Sequence, residues 1–572
     1  MPPKSSQRTP AKAPKASPPT KQALAAPTAQ RSALPAVSFA RFAGYFRGLI
    51  YILAAATASY VSQLTLAPVY GEIPSSLHHE QITTAVFFAA WILKPLLRKA
   101  PLKLSTLIPV IVFHIPGLLN YLFQYSTTWG AVKGPIITEA LTVYPVILFS
   151  IFAAATNLET GSFVLDAIPA GLSWGIFAFA RQAIPRLLWK RIGSQWLLTR
   201  CGMHHALGAL YTLLAPSLLL ATTMGALFHS YSENPLCVLS PSLNATLAPY
   251  NHSIIARTES VTGYVSVLDN FEMGYRVLRC DHSLLGGEWQ RAPKGFPVGE
   301  KFKEPIYAIF VTMEAVRLVE PAPKNEKPSA LAIGLGIGTS TDAMIRHGIQ
   351  TDIVELDPAV YKYATEYFGL SKNHTAYLED AVGFIEREVA KGEKKYEYIL
   401  HDVFTGGAVP ASLFTLEVFE GLKALLAEDG VVAINWAGDL KLPAARSIIR
   451  TIRHVFQNCR VFREEPATED DIKKGRDFTN MVIFCTPSPL PYSFRRPVQS
   501  DLLGSYARQR FLYPKYEIDL EEYWGKEAMM DQETTLLREG NVDMLREWQK
   551  KSAVGHWSVI RTVVPGGVWE NY

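Results

Sequence analysis

The chain has 572 residues, enough for two or three domains, and 48% of its residues are hydrophobic whereas only 19% are charged. The formal net charge is +5, but no stripe of basic and aromatic residues accompanies it, so we expect no nucleic-acid partner. The apolar residues are unevenly spread, which indicates a membrane part followed by a globular part.

Residues 1–44 form a basic tail, and the chain has no acidic side chain before Glu72. Pro, Ala, Ser, Lys and Arg dominate this tail, so it cannot bury a core and we expect it to be disordered. It lacks the early apolar segment of a secretory signal peptide. A mitochondrial transit peptide is an alternative, although the proline content disfavours an amphipathic helix.

Residues 45–230 are predicted to form a multi-pass transmembrane domain, because six apolar segments there approach the roughly 20 residues needed to cross a bilayer. Two of these segments are short, and either could be re-entrant or buried in the bundle. Glu139, Asp166 and the His204-His205 pair lie in or beside spans, where ionisable groups are either functional or placed at the interface. The candidate spans are 46–68, 83–97, 105–123, 135–156, 163–180 and 205–228.

The sidedness of this domain is ambiguous. The basic tail and Arg98-Lys99 favour a cytosolic amino terminus, and six crossings then return the carboxyl-terminal domain to the cytosol. We therefore expect a protein of an internal membrane, in contact with its lipids, with a cytosolic carboxyl-terminal domain. The basic loop between Arg181 and Arg200 favours five crossings instead, as do two glycosylation triplets at Asn244 and Asn251.

The five cysteines do not decide between these topologies. Cys237 and Cys280 could pair in a lumen, whereas the remaining three cysteines look isolated. No Cys/His spacing typical of a metal site is present, so we expect no metal. The isolated cysteines are Cys201, Cys459 and Cys485.

A linker and a small β-rich subdomain are predicted over 231–328, and a nucleoside-binding domain over 329–486. In the latter, a buried strand at 330–333 runs into Gly334, Gly336 and Gly338, which let the backbone turn sharply and approach a ligand. A helix over 340–347 follows. The dinucleotide fingerprint is incomplete, because Thr339 stands where its last glycine belongs, which argues against NAD and FAD.

Three acidic residues lie at the predicted ends of three further strands. Glu355 ends a strand over 352–356, about 20 residues after the first glycine, which is the spacing that brings a carboxylate to a ribose. Asp380 precedes Ala381 at the end of a third strand, and Asp402 ends a fourth strand over 398–401. Because the carboxyl ends of parallel strands bound one crevice, these acids point to a ligand site. The alternative is that such acids cap helices, as Asp357 does before Pro358.

These segments resemble the spermidine synthase family, whose domain has the fold of S-adenosylmethionine-dependent methyltransferases. The resemblance covers roughly 255–440 and includes the segment 263–269, which looks like that family's small β-hairpin region. It implies that Gly334, Gly336 and Gly338 form the glycine loop and that Glu355 holds the ribose. It further implies that Asp380 and Ala381 bind the adenine and that Asp402 is catalytic.

Two departures from the family concern the amine substrate. The family has an aspartate in the glycine loop where this chain has Ile337, and a second aspartate three residues after the catalytic one, where this chain has Thr405. A polyamine cation needs carboxylates, because an unpaired buried ammonium is costly. The nucleoside half of the site is therefore retained while its amine half is altered.

We expect a multi-pass α-helical membrane domain followed by an α/β Rossmann-like domain of the methyltransferase and spermidine synthase type. The leading hypothesis is aminopropyl transfer from decarboxylated S-adenosylmethionine to a small amine, as in polyamine biosynthesis. Methyl transfer from S-adenosylmethionine to another nucleophile is the alternative, and a non-catalytic nucleoside sensor is a third. Residues 487–572 are expected to form an extension that braces the surface or covers the site. A homo-oligomer is compatible with the sequence.

Overall fold

The computed structural model of the protein describes residues 39–232, 234, 236–238, 241–292, 303–403, 406–474, 477–525 and 536–572. Most of the predicted disordered tail lies outside these residues. The first helix begins at Phe39, five residues before the end of the predicted tail at residue 44. Pro35 is the last proline before this point, and the proline-free run after it allows a helix to start.

The amino-terminal half is a helical bundle in which the long first helix packs against α7, α8 and α9. Helix α6 is broken at Gly130, whose φ is +72°. The described helices of this half are α1 (Phe39–Tyr70), α2 (Glu72–Ser76), α3 (His79–Ile92), α4 (Lys94–Leu97), α5 (Leu107–Phe123), α6 (Ser126–Leu141), α7 (Val143–Leu158), α8 (Ala167–Leu188), α9 (Arg200–Leu214), α10 (Leu218–Ser232) and α11 (Pro241–Leu247).

The prediction of six membrane spans is not supported. Within the described residues, two helical stretches are long and apolar enough to cross a membrane, Arg41–Tyr70 and Leu104–Phe123. Helices α6 and α7 reach that standard only together, as a span bent by 44°. The predicted span 205–228 is divided between α9 and α10 because Pro216 interrupts the helix.

The polar residues predicted in or beside the spans differ in their partners. Glu139 accepts hydrogen bonds from Ser62 and Tyr144, each at 2.7 Å, and lies 3.0 Å from His79 Nδ1. Asp166 is paired with Lys94. His204 is buried, and neither ring nitrogen has a hydrogen-bond partner within the described chain. Glu139 and Asp166 are thus bound in polar networks inside the bundle.

A small antiparallel sheet follows the bundle and has its strands in chain order. One face, with Val265 and Leu278, packs against Val360 and Tyr363 of the next domain. The other face packs against the carboxyl-terminal residues, among them Trp569. The strands are β1 (His252–Ser260), β2 (Gly263–Asn270), β3 (Tyr275–Cys280), β4 (Ser283–Trp289) and β5 (Glu304–Pro305).

The second domain is built on an eight-stranded sheet of order β15-β12-β13-β11-β10-β7-β8-β9, and a minor sheet pairs β14 with β6. The five strands from β11 to β9 in this order are parallel, whereas β13, β12 and β15 join by antiparallel pairing. The strands are β6 (Val319–Glu320), β7 (Ser329–Ile333), β8 (Gln350–Glu355), β9 (His374–Leu378), β10 (Tyr396–His401), β11 (Leu426–Asp439), β12 (Asn458–Arg463), β13 (Phe478–Thr486), β14 (Ser493–Phe494) and β15 (Tyr516–Glu517).

The helices of this domain cover both faces of the sheet, as its fully buried apolar strands require. Asp357 caps the helix after β8 by accepting a 2.8 Å hydrogen bond from Ala359 N, as its position before Pro358 predicts. The helices are α12 (Ala308–Met313), α13 (Thr339–Arg346), α14 (Pro358–Tyr367), α15 (Ala381–Lys391), α16 (Leu416–Leu425), α17 (Pro443–Val455), α18 (Glu469–Lys473), α19 (Tyr506–Phe511) and α20 (Leu520–Trp524). The doubly wound α/β fold expected from the sequence is therefore present.

The carboxyl-terminal segment joins the two halves of the molecule. It contains α21 (Val542–Val563) and α22 (Gly566–Glu570). Trp557 Nε1 donates a 3.0 Å hydrogen bond to Val69 O of α1, and Glu570 accepts one of 2.8 Å from Ser126 Oγ of α6. Trp569 is fully buried against the small sheet, so the end of the chain connects the bundle, the small sheet and the nucleoside domain.

The cysteine pairing differs from the expectation. Disulfides join Cys201 to Cys237 and Cys459 to Cys485, and Cys280 is free and buried. The second disulfide links neighbouring residues of the antiparallel strands β12 and β13, a register that the spacing in the sequence does not reveal.

Candidate functional site

A cavity of about 550 Å³ lies at the carboxyl ends of β7, β8 and β10. Strands β7 and β10 are neighbours in the sheet, and the chain proceeds from β7 towards β8 on one side and from β10 towards β11 on the other. This is a topological switch point, where open parallel sheets bind ligands. The volume is in the range of small-molecule sites.

The glycine loop forms one wall of the cavity. Gly334 has a φ of +81°, and a Cβ there would overlap the carbonyl oxygen of Asp402. Gly336 has a φ of +55°, and its Cβ would overlap the carbonyl oxygen of Leu285 in β4. Both glycines are therefore required by close approach of the protein's own backbone. Gly338, with a φ of +85°, precedes α13 and does not line the cavity.

Glu355 lies against this loop at the end of β8. Its Oε2 accepts a hydrogen bond of 3.0 Å from Leu335 N, and its Oε1 accepts one of 2.8 Å from Asp357 N. Burial raises the pKa of Glu355 to about 7. A carboxylate has about four acceptor positions, so lone pairs remain for the hydroxyl groups of a ligand that enters the cavity.

Asp380 and Ala381 line the same cavity at the start of α15. Asp380 Oδ1 accepts a 3.2 Å hydrogen bond from Val382 N, so this residue also caps the helix. The neighbouring Glu379 is engaged by Arg387 in a two-pronged ion pair of 2.6 and 2.8 Å. Among the described residues the carboxylate of Asp380 accepts only the capping hydrogen bond, so it has more acceptor positions left for a ligand than the carboxylate of Glu379.

Asp402 follows β10 at the switch point. Its N–H donates to Ile333 O at 2.8 Å, which holds the ends of β7 and β10 together. Its Oδ1 accepts a 2.8 Å hydrogen bond from Asn435 Nδ2 on β11. Burial raises the pKa of Asp402 to about 6, and the bond from Asn435 opposes that rise. The pKa of this carboxyl group is thus about one unit below neutral pH, which suits a general base.

The structure explains why an acid is absent at one of the two altered amine-binding positions, Ile337. Its side chain is 5% exposed and packs against the small sheet, where a Cβ on Gly286 would lie 2.8 Å from Ile337 Cγ1. A carboxylate in this apolar contact would be costly. Thr405 lies outside the described residues.

Part of the cavity wall comes from residues that the sequence reasoning missed. Arg200 is fully buried, donates a 2.6 Å hydrogen bond from Nε to Leu64 O, and pairs with Asp281 at 3.0 Å. It thereby ties the helical bundle to the small sheet beside the nucleoside domain. Glu72 was visible in the sequence as the first acid of the chain. The further lining residues from these parts include Tyr60, Gln63, Trp189, Ile192, Thr262 and Cys280.

Within the described residues, no group of three His, Cys, Asp or Glu side chains is arranged to hold a metal ion.

Comparison with known proteins connects both halves of the chain to relatives. The Spermine/spermidine synthase domain family matches residues 314–463. A polyamine aminopropyltransferase of Vibrio vulnificus is 32% identical over 235 residues, which are 39% of this chain and 72% of that protein. The N-terminal histidine N-methyltransferase of Emericella nidulans is 43% identical over 554 residues, which are 92% of this chain and 97% of that protein.

Among solved structures, spermidine synthase from Thermotoga maritima is 14% identical and matches 49% of this chain and 83% of its own, with a TM-score of 0.29. Human Methyltransferase-like protein 13 in complex with SAH is 21% identical and matches 37% of this chain and 92% of its own, with a TM-score of 0.26. The full-length likeness is the decisive one. The chain carries a spermine/spermidine synthase domain and belongs to the family of the Emericella nidulans N-terminal histidine N-methyltransferase.

Proposed function

We propose that this protein transfers a methyl group from an S-adenosyl donor to a nitrogen of an amino-terminal histidine on a polypeptide. The observation that carries this proposal is the 43% identity to the Emericella nidulans protein over 92% of the chain, which includes the helical bundle. The polyamine enzyme matches only 39% of the chain. The methyltransferase alternative is thus better supported than the aminopropyl transfer that we expected first.

The residues of the cavity fit an S-adenosyl donor. Glu355 keeps lone pairs for ribose hydroxyls, and Asp380 can accept a hydrogen bond from the exocyclic amine of the adenine. The donor, when bound, supplies a methyl group on a positively charged sulfur. The acids near the cavity suit that charge, since a cation enclosed by protein needs carboxylates nearby.

Asp402 is the proposed base. As the nitrogen–carbon bond forms, the carbon–sulfur bond breaks and its electron pair stays on sulfur, so the positive charge passes to the methylated nitrogen centre. Loss of a proton from the acceptor removes that charge. Asp402 can take this proton, because its pKa of about 6 leaves it ionised at neutral pH.

The test uses the full-length protein in detergent with S-adenosylmethionine and two peptides that differ only in beginning with His or Ala. We expect release of S-adenosylhomocysteine and a mass gain of one methyl group for the histidine peptide alone. Asp402→Asn should lower turnover by about 10²–10⁴-fold with little change in donor affinity. Asp429→Asn is the matched control, because Asp429 lies at the beginning of β11, away from the strand ends that form the cavity.

Aminopropyl transfer remains the second candidate, because the matched domain family and the Vibrio vulnificus relative both favour it. Against it stands Ile337, an apolar core residue where that chemistry uses an acid. Consumption of decarboxylated S-adenosylmethionine with a small diamine would establish this candidate over methyl transfer. Donor binding without turnover of either donor would favour the sensor hypothesis.

We also propose that the helical bundle lies in an internal membrane. The two long apolar helices support this, and so do the large apolar side chains that α8 and the segment before it expose. The two disulfides favour the oxidising side of that membrane for the nucleoside domain, in place of the cytosolic side that the basic tail suggested. These exposed side chains are Phe163, Val164, Leu165, Ile168, Leu172, Phe179 and Leu187.

A further inference from the structure

The cavity contains more than the nucleoside site. Residues of α1, α2, the turn after α8 and the small sheet form a second wall, opposite in sequence origin to the nucleoside-binding elements. This wall combines aromatic side chains, Tyr60 and Trp189, with the acids Glu72 and Asp281. A wall of rings and carboxylates is suited to a cation.

Glu72 is the acid of this wall that lacks a counter-ion. Its side chain is exposed, lines the cavity, and makes no hydrogen bond or ion pair with any described residue. Arg546 is near enough to act on its charge, but Arg546 is itself paired with Asp543 at 2.7 Å. Solvent still reaches part of the Glu72 side chain, but desolvation by the protein around the cavity, and then the charge of Asp281, raise its pKa. A positively charged ligand would offset the repulsion from Asp281.

The other acids of the small sheet are already neutralised in part. Asp281 accepts from Tyr264 N at 2.8 Å and pairs with Arg200 at 3.0 Å, and Glu259 pairs with the same arginine at 3.3 Å. Arg279 adds a second positive charge near Asp281. The three carboxylates of Glu72, Glu259 and Asp281 therefore face two guanidinium groups on this side of the cavity, which leaves it net negative.

Gln63 has a second polar atom of this wall that lacks a partner among the described residues. Its Nε2 donates a 3.0 Å hydrogen bond to Glu139 Oε1, which fixes the orientation of the amide because a carboxylate only accepts. The opposite atom, Oε1, is enclosed and has no hydrogen-bond partner among the described residues. A buried acceptor without a donor is costly, so a donor from a ligand or a water is expected beside it.

From these contacts we propose that the wall of Glu72, Gln63 and Tyr60 is the acceptor subsite and binds the protonated α-amino group of a polypeptide's amino terminus. Glu72 is the counter-ion of that ammonium, and Gln63 Oε1 accepts one of its hydrogens. The inference rests on the proposed function and adds to it the reason for choosing an amino-terminal residue: an internal histidine has no ammonium to offer.

The test compares a histidine-initiated peptide with the same peptide acetylated at its α-amino group. We expect acetylation to reduce kcat/KM by at least about tenfold for the wild-type protein. Glu72→Gln should raise KM for the free peptide by at least about tenfold and leave the affinity for S-adenosylhomocysteine unchanged. It should also reduce the difference in kcat/KM between the free and the acetylated peptide. Glu80→Gln is the control, because it removes an exposed carboxylate of α3 that does not line the cavity.

Glu72→Asp keeps the charge on a shorter side chain and should retain more activity towards the free peptide than Glu72→Gln. Unchanged affinity for S-adenosylhomocysteine shows that each variant is folded. Equal use of both peptides by the wild type, or an unchanged KM in Glu72→Gln, would overturn the subsite while leaving methyl transfer intact. Absence of methylation of any histidine peptide by the wild type would instead overturn the proposed function.

Discussion

The pKa of Asp402 depends on a balance between burial and a single hydrogen bond. Burial raises its pKa to about 6, and the amide of Asn435 opposes that rise by donating to the ionised form. As a base it must be ionised, so activity should increase as the pH rises through about 6 and should level off above that value.

Asn435→Ala removes the donor that stabilises the carboxylate, so the pKa of Asp402 should rise further. The acid limb of the kcat/KM profile should then move to higher pH. The titration of a histidine substrate contributes to the same limb but is identical for every variant, so the shift isolates the enzyme group. Asn480→Ala removes an amide that donates to Glu464 at 2.7 Å and should leave the limb in place. An unmoved limb in Asn435→Ala would remove Asp402 from the role of base.

At the scale of elements, the glycine loop holds two strand ends and the small sheet together. Gly334 lies so close to Asp402 that no side chain fits between β7 and β10, and its φ of +81° already disfavours other residues. The loop is therefore a structural joint as well as a ligand wall.

This joint can be tested with paired glycine variants. Gly392, which ends α15, has a φ of +67° and open space around its Cβ position, so Gly392→Ala should cost about 1–2 kcal/mol of unfolding free energy. Gly334→Ala adds a backbone overlap and should cost about 1–3 kcal/mol more. Urea unfolding followed by tryptophan fluorescence measures both losses. Equal losses in the two variants would mean that the approach of Gly334 to Asp402 is not tight in solution.

At the scale of the whole molecule, the cavity exists because three parts meet: the bundle, the small sheet and the nucleoside domain. Arg200 and the carboxyl-terminal segment hold these parts in contact. The disulfide of Cys201 and Cys237 lies beside Arg200 at the start of α9.

Alkylation of the cysteines tests both the disulfide pairing and the side of the membrane on which the nucleoside domain lies. Protein unfolded without reductant should react with an alkylating agent at Cys280 alone, and at all five cysteines after reduction, as peptide mass spectrometry can resolve. Disulfide-linked peptides from protein isolated with thiols blocked would place the nucleoside domain in an oxidising compartment. Five free thiols in such material would favour the cytosolic side instead.

The sequence by itself determined the local parts of the nucleoside domain. The apolar run before Gly334 specifies a buried strand, the Asp357-Pro358 pair starts a helix, and acids at strand ends meet at one edge because parallel strands point the same way. Such signals depend on neighbours within a few residues, so they can be read without the fold.

Only the tertiary structure decided which distant residues share the cavity. Glu72, Gln63 and Arg200 reach it through helix packing that has no periodic signature, and the cysteine pairs depend on strand register. The six predicted membrane spans are not supported by the described helices for a related reason. An apolar segment has the same composition whether it contacts lipid or the core of a helical bundle, so length, breaks and packing had to separate the two cases.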